Sequence, residues 1–418
     1  MSGVSATPAV APASGAARFA ALPPLSLYVH IPWCLQKCPY CDFNSHEARG
    51  APDEAAYVAA LLADLESALP GVWGRKVGTV FIGGGTPSLF SPAAIDRLLS
   101  GLRARLPLLP DAEVTLEANP GTFERERFAG YFAAGVNRLS LGVQSFSPRH
   151  LTALGRVHGA DEARRAAEAA ITIFGNVNLD LMFALPGQTL ADCEADVAAA
   201  LAFGTPHLSF YQLTLEPNTR FHHAPPPGLP DDDLAADMQE LVAARLAGAG
   251  YGRYEVSAYA KPGRECVHNL NYWRFGDYLG IGAGAHAKVS SPDRVVREVR
   301  FKQPQQYLAG VAAGNAVMER REIARDEVGF EFMLNALRLT GGVSASLFAE
   351  RTGYPLAIVA PQLADGVRRG LIDADPARIV ATGTGQRFLN RTLEMFLPAI
   401  DRKTPIRIAP TAIVEAPR

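Results

Sequence analysis

The chain has 418 residues, of which 40 are basic and 42 acidic, so its formal net charge is -2. This balance argues against the broad basic surface that non-specific nucleic-acid binding needs, and we expect no nucleic-acid partner. No window of about 18 apolar residues and no basic segment followed by an apolar one at the start are found, so we expect a cytoplasmic protein with neither membrane span nor signal peptide.

In chain order, residues 1–24 are rich in Ala, Pro, Ser and Gly and are predicted to be a disordered arm. From Leu25 to about residue 255, short apolar runs alternate with helical patterns in which apolar residues recur three or four apart. The runs are LSLYVHI (25–31), VGTVFIGGG (77–85), EVTLEANP (113–120), RLSLGVQSF (138–146), NVNLDLMFALPG (176–187) and HLSFYQLTL (207–215). Six β/α units predict an α/β fold with a parallel sheet, a partial (β/α)6 barrel of the TIM type whose site lies at the C-terminal strand ends.

The rest of the chain has a different texture. Residues 256–309 are predicted to connect two domains and contain HNLNYW and YLGIGAGAH. Residues 310–400 read as short helices followed by a polar two-stranded hairpin, which predicts a smaller winged-helix-like domain, and residues 401–418 read as a tail. Winged helices often bind nucleic acid, but little basic charge is clustered here and fold alone does not decide function.

Three of the five cysteines form a C-x3-C-x2-C array, Cys34, Cys38 and Cys41, directly after the first predicted strand. Thiolates select zinc or an iron–sulfur cluster, and a purely structural site usually has four protein ligands. A structural zinc site with His30 or His46 as the fourth ligand is one interpretation. The other is a four-iron cluster in which one iron has no protein ligand and is open to a substrate or cofactor. The two remaining cysteines are expected to be buried thiols.

The array, with an aromatic residue (Tyr40) before the last cysteine, resembles the signature of the radical S-adenosylmethionine (SAM) proteins. The resemblance implies that the three cysteines ligate a [4Fe-4S] cluster and that SAM chelates its fourth iron. It also implies a set of SAM-binding residues at successive strand ends, any of which could instead be a tight turn, a cap or a salt bridge. They are Tyr28, Gly84, Gly85, Thr86, Glu117, Gln144, Arg156 and Asp180.

The motifs together resemble the HemN group within that superfamily, which has two branches. The oxygen-independent coproporphyrinogen III dehydrogenases resemble C-x3-C-x2-C-x-C and have a longer N-terminal segment, whereas Phe43 stands at the position of their extra cysteine here. The heme chaperone branch, HemW, resembles this chain at DFNSH and at HNLNYW. We therefore expect a heme chaperone without dehydrogenase activity.

The HNLNYW segment, 268–273, reads as a loop with a histidine beside two aromatic residues. Imidazole is a usual axial ligand of haem iron, although a histidine satisfied within a packed loop gives the same pattern. The resemblance implies that His268 is the heme ligand, with His222, His223 and His286 as competitors.

The sequence thus predicts a protein that binds a [4Fe-4S] cluster, SAM and heme. It would hand heme to acceptor haem proteins, among them membrane-bound respiratory ones. The alternatives are a coproporphyrinogen III dehydrogenase and a radical SAM enzyme with another substrate.

Overall fold

A computed structural model describes residues 16–121 and 124–398. Its strands, in chain order, are β1 (Leu25–Ile31), β2 (Trp33–Cys34), β3 (His46–Glu47), β4 (Val77–Gly84), β5 (Leu108–Ala118), β6 (Arg138–Gln144), β7 (Val177–Phe183), β8 (His207–Gln212), β9 (Gly252–Arg253), β10 (Ala258–Ala260), β11 (Asp277–Ile281), β12 (His286–Ser291), β13 (Arg294–Arg300), β14 (Val317–Glu322), β15 (Val343–Ser344) and β16 (Arg378–Ile379).

The helices are α1 (Glu54–Ala68), α2 (Pro92–Arg105), α3 (Glu124–Ala134), α4 (Pro148–Ala153), α5 (Ala160–Ile173), α6 (Leu190–Ala202), α7 (Arg220–His223), α8 (Asp232–Gly248), α9 (Val267–Trp273), α10 (Pro304–Ala312), α11 (Val328–Ala336), α12 (Ser346–Thr352), α13 (Ala360–Arg368), α14 (Gly383–Arg387) and α15 (Leu389–Glu394). Short 3₁₀ helices lie at Leu69–Gly71, Pro87–Leu89 and Leu356–Ile358. Over the described ranges, no helix is both long enough and apolar enough to span a bilayer.

The main sheet has 12 strands in the order β14-β13-β12-β11-β1-β4-β5-β6-β7-β8-β10-β9. Its centre, from β11 to β8, is parallel, and the strands outside it are antiparallel. The sheet does not close on itself over the described residues, which confirms the predicted α/β fold with a partial barrel. The six predicted strands are all present, but the sequence missed a seventh parallel strand, β11, which pairs with β1.

The two faces of the parallel strands differ in polarity, because successive side chains point to opposite faces. In β1, Leu25, Leu27, Val29 and Ile31 belong to the main hydrophobic core under the helices, while Ser26, Tyr28 and His30 face the other side. Some of the covering helices start at side-chain caps, as α1 does, where Asp53 accepts a hydrogen bond from Ala56 N at 2.9 Å. The polar inner face is therefore the surface on which a site can form.

A second core unites α11, α12 and the small β15/β16 sheet with α9. The segment 256–309, expected to be a connector, contributes β10 to β13 to the main sheet. Residues 1–15 of the predicted arm and the predicted tail 401–418 lie outside the described residues. The expectation of disorder does not hold for residues 16–24, since Arg18 N donates to Gly353 O at 2.8 Å and Phe19 packs on the second core.

Candidate functional site

A cavity of about 500 Å³ opens at the C-terminal ends of β1 and β4 to β7. It brings together all three cysteines of the array and most of the residues predicted to bind SAM. The predicted residues that line it are Cys34, Cys38, Cys41, Gly84, Gly85, Thr86, Glu117, Gln144, Arg156 and Asp180. Phe43 lines the same cavity.

The cysteine loop is held by backbone pairing and by one lysine. Cys34 lies in β2, which pairs with β3 through Trp33 and His46, and Cys41 N donates to Cys38 O at 3.1 Å. Lys37 Nζ donates to the carbonyl oxygens of Phe43 at 3.1 Å and Ser45 at 3.3 Å. The loop is thus shaped by the protein before any ligand binds.

Each cysteine sulfur has at least one polar side chain beside it. Thr86 Oγ1 lies 3.5 Å from Cys34 Sγ, Arg156 Nη1 lies 3.5 Å from Cys38 Sγ, and Ser45 Oγ lies 3.5 Å from Cys41 Sγ. Donors around metal-bound sulfur tune the metal and orient its ligands.

Burial keeps the thiols of Cys34 and Cys41 protonated at neutral pH, because it raises the pKa of both. It raises the pKa of Cys41 to about 11, against the opposing hydrogen bond from Ser45, and it also raises the pKa of Cys34, against hydrogen bonds from Thr86 and Ser45. A soft metal binds the thiolate, so iron would displace these protons.

His30 is not available as the fourth ligand of a structural zinc site. His30 Nδ1 is bonded to the Tyr28 hydroxyl at 2.9 Å and His30 Nε2 to the Asn44 carbonyl at 2.9 Å. Over residues 16–121 and 124–398, no three His, Cys, Asp or Glu side chains are gathered to hold a single ion.

Glycine at the end of β4 allows the strand to press against the cysteine loop. Gly84 has φ +121, and a Cβ there would lie 2.7 Å from the His30 ring. A Cβ on Gly85 would lie 2.6 Å from the Trp33 carbonyl oxygen. No side chain fits at either position, so Thr86 is delivered next to Cys34 by the backbone itself.

Two carboxyl groups share the floor of the cavity. Burial raises the pKa of Glu117 to about 8, with nearby Asp180 adding to the effect. Burial also raises the pKa of Asp180, although Ser140 at 2.9 Å and Asn178 at 2.8 Å donate to it. A cationic ligand would be stabilised here, because it would favour the ionised carboxylates that burial disfavours.

Gln144 ends β6 in the left-handed conformation, with φ 68. This backbone is uncommon for a residue with a side chain. Its Oε1 is buried and has no hydrogen-bond partner among the described residues. An unmet acceptor on a cavity wall is the kind of group that a polar ligand satisfies.

Two predicted residues lie outside this cavity's lining. Tyr28 stacks on Phe81 with ring centroids 6.2 Å apart, and its hydroxyl is engaged by His30. His268 lies toward the N-terminal ends of β1 and β4, in α9, so HNLNYW is helical where a loop was expected. Tertiary packing of the aromatic residues on the second core explains the helix.

Both ring nitrogens of His268 are occupied. Nδ1 lies 2.6 Å from Thr79 Oγ1, and Nε2 lies 3.0 Å from the Tyr272 hydroxyl. The Thr79 hydroxyl donates to Ser26 at 2.8 Å, so it accepts from Nδ1–H. Nε2 therefore holds the lone pair, into which Tyr272 donates.

The protonation state of His268 suits metal ligation. Burial lowers its pKa to about 3, and Arg138 contributes to the shift. The ring is neutral at physiological pH, which is the form that binds metals.

The competing histidines are placed differently. His222 and His223 are exposed on α7, and burial lowers the pKa of His286 to about 4.

Comparison with known proteins agrees with this geometry. The model of the radical SAM superfamily matches residues 28–200, and that of the HemN C-terminal domain matches residues 323–388. The solved coproporphyrinogen III oxidase HemN from Escherichia coli, a radical SAM enzyme, superposes with a TM-score of 0.76 at 25% identity, covering 90% of each chain. The fold and the cysteine-lined cavity thus define a radical SAM protein.

Curated relatives narrow the class. Heme chaperone HemW of Escherichia coli K12 is 50% identical over 378 residues, covering 90% of this chain and 99% of the relative. Heme chaperone HemW of Bacillus subtilis is 36% identical over 379 residues, covering 89% and 99%. The chain belongs to the HemW family.

Membership in the superfamily implies a [4Fe-4S] cluster and SAM, and the cavity fits both. Three thiols with polar neighbours provide soft ligands on one wall. On the opposite wall, Glu117, whose pKa is raised, and Gln144, whose Oε1 has no hydrogen-bond partner among the described residues, suit a cationic and polar molecule.

Proposed function

We propose that this protein is a heme chaperone that binds heme and transfers it to acceptor haem proteins, among them membrane-bound respiratory ones. The observation that carries the proposal is the 50% identity to an Escherichia coli heme chaperone over 99% of that protein. The five cysteines of the present chain form no disulfide, as a reducing compartment favours, and we propose that the protein acts in the cytoplasm.

In this proposal Cys34, Cys38 and Cys41 hold the cluster and the opposite wall of the cavity holds SAM. When bound, the cluster and SAM supply one-electron chemistry. The chain supplies the rest: Glu117 and Asp180 balance the charge of a sulfonium, and Gln144 offers its free acceptor.

Heme would use His268 Nε2 as an axial ligand. The lone pair of Nε2 already accepts a hydrogen bond from the Tyr272 hydroxyl, so binding to heme iron requires that hydroxyl to move away. The neighbouring rings of Phe81 and Tyr272, with centroids 5.0 and 4.7 Å from that of His268, would give apolar contact to a porphyrin.

A coproporphyrinogen III dehydrogenase is the second candidate, and the likeness to HemN favours it. The position that carries an additional cysteine in those enzymes holds Phe43, which lines the cavity instead. This argues for the chaperone.

Anaerobic reconstitution with iron, sulfide, SAM and heme, followed by separate assays, tests the proposal. We expect stoichiometric heme binding, transfer of that heme to an apo haem protein, and no protoporphyrinogen IX from coproporphyrinogen III. Conversion of coproporphyrinogen III without heme binding would overturn it.

A further inference from the structure

Asn119, two residues after Glu117, is hydrogen-bonded to the side chains of Thr86 and Arg156, and each of these lies beside a different cysteine. Its Nδ2 lies 2.9 Å from Thr86 Oγ1, and its Oδ1 lies 2.7 Å from Arg156 Nη2. Thr86 Oγ1 lies 3.5 Å from Cys34 Sγ, and Arg156 Nη1 lies 3.5 Å from Cys38 Sγ. The Asn119 amide is therefore connected to Cys34 Sγ through Thr86 and to Cys38 Sγ through Arg156.

Hydrogen-bond chemistry fixes the direction of these bonds. A guanidinium has donors and no acceptor, so Asn119 must turn its oxygen toward Arg156. Its NH2 group then faces Thr86 and donates to the hydroxyl oxygen. The hydroxyl hydrogen of Thr86 is left to point at Cys34 Sγ.

The surroundings keep the amide in this orientation. Asn119 N donates to Ser88 Oγ at 3.3 Å, and Arg156 Nη2 also donates to Gly142 O at 2.9 Å. A Cβ at position 142 would lie 2.7 Å from Asn119 Oδ1, so only glycine leaves the space. Turning the amide over would set its NH2 group against the donors of Arg156.

We propose that Asn119 is a positioning residue of the cluster site, which aims the Thr86 hydroxyl at Cys34 and the Arg156 guanidinium at Cys38. The inference rests on the cluster of the proposed function and is independent of heme transfer. Hydrogen bonds to cluster sulfurs stabilise the reduced, more negative state and raise the reduction potential. Asn119 thus helps to set that potential without touching a sulfur.

The test is an anaerobic redox titration of the reconstituted full-length protein, followed by electron paramagnetic resonance. Asn119→Ala should move the midpoint potential to a more negative value. The expected shift is up to about tenfold in the reduction equilibrium, or about 59 mV for a one-electron couple. Iron and sulfide analysis establishes that each variant is fully loaded.

A double-variant comparison of Asn119→Ala with Thr86→Val distinguishes positioning of the Thr86 hydroxyl from a general structural effect of the substitution. Thr86→Val should also lower the potential, and the double variant should shift less than the sum of the two single variants. Ser45→Ala is the control: its hydroxyl lies 3.5 Å from Cys41 Sγ, and the hydrogen bonds shown for Asn119 go to Ser88, Thr86 and Arg156 instead, so its shift should add to that of Asn119→Ala.

An unchanged potential in Asn119→Ala, or full additivity with Thr86→Val, would overturn the proposal. If Asn119→Ala does not load iron, Asn119→Asp keeps the size of the side chain. Its carboxylate accepts from Thr86 and draws the hydroxyl hydrogen away from Cys34, so the potential should again fall, and it should fall by less in a Thr86→Val background, where only the added charge acts. Failure of heme binding in the wild type would remove the chaperone proposal and leave this result standing.

Discussion

The amide of Asn44 fills the space that a side chain at Gly284 would take. Asn44 Nδ2 donates to Ala283 O and to Lys302 O, both at 2.9 Å. A Cβ on Gly284, whose φ is +81, would overlap this amide. The contact fastens the DFNSH end of the cysteine loop to the loop after β11.

Gly284→Ala should therefore loosen the cysteine loop as well as destabilise the fold. We expect a loss of about 1–2 kcal/mol in the free energy of unfolding from the left-handed backbone alone, and faster loss of iron to a chelator. Urea unfolding and the rate of bleaching of the cluster absorption measure the two effects.

Gly314→Ala is the control for that substitution. Gly314 has a similar φ of +75 and no atom within 4 Å of its would-be Cβ. It should show the backbone cost without faster iron loss. Equal bleaching rates in the two variants would mean that the Asn44 contact does not hold the loop.

Replacing any one of Cys34, Cys38 and Cys41 by alanine should abolish the cluster, because each cysteine supplies one of the three protein ligands of the array. Iron content and visible absorption after reconstitution are the measurements. Cys193→Ala is the matched control, since this thiol is buried in the main core away from the cavity. A normal cluster in a Cys38→Ala protein would show that the array is not the ligand set.

His268→Ala should weaken heme binding by about tenfold or more, equivalent to about 1.4 kcal/mol, and leave the cluster absorption intact. Tyr272→Phe should strengthen heme binding, because it removes the hydroxyl that donates to Nε2. Heme titration followed by absorption gives both affinities, with exposed His223→Ala as the control. Unaltered affinity in the first two variants would move the heme site elsewhere.

Glu117 should make the SAM-free protein less stable as pH rises. Its pKa is about 8 in the folded chain against 4.5 unfolded, so between these values the folded state binds a proton that the unfolded state lacks. Stability due to Glu117 is present below pH 4.5 and is lost as pH rises through 8.

Glu117→Gln removes this dependence. Its stability relative to the wild type should grow with pH across that window, by up to about 1.4 kcal/mol per pH unit, less whatever solvent in the cavity screens. Urea unfolding at several pH values between 5 and 9 checks this, and parallel curves for the two proteins would contradict it.

The sequence was sufficient for the features that follow local rules. The six strand and helix alternations were readable because their apolar periods are regular, and the strand-end positions of Glu117 and Gln144 followed from them, whereas Asp180 lies in the middle of β7. β11 was missed because DYLGI is short and has no helix of barrel type before it. Its ending, GIGAG, resembles the VFIGGG of β4 and was the available signal.

Features that depend on contacts distant in sequence could not be read. The bond between His268 and Thr79 spans 189 positions, so the histidine could not be placed inside the fold from its neighbours. The sequence gives no signal for Asn119 either, since its role depends on Thr86, which follows β4, and on Arg156, which lies between α4 and α5. The order of residues 16–24 likewise depends on a docking place near Gly353.

The pairing of β1 with β11 has a consequence for how the protein is made. Leu25 is aligned with Asp277, about 250 residues later. At about 5–20 residues per second, a ribosome needs roughly 10–50 s to cover that distance. During this time β1 and the cysteine loop have been synthesised, but β11, one of the two strands that pair with β1, does not yet exist. Ala283, which accepts from Asn44 of the cysteine loop, follows directly after β11, so we expect stable insertion of the cluster only after translation has passed Ile281 and Ala283.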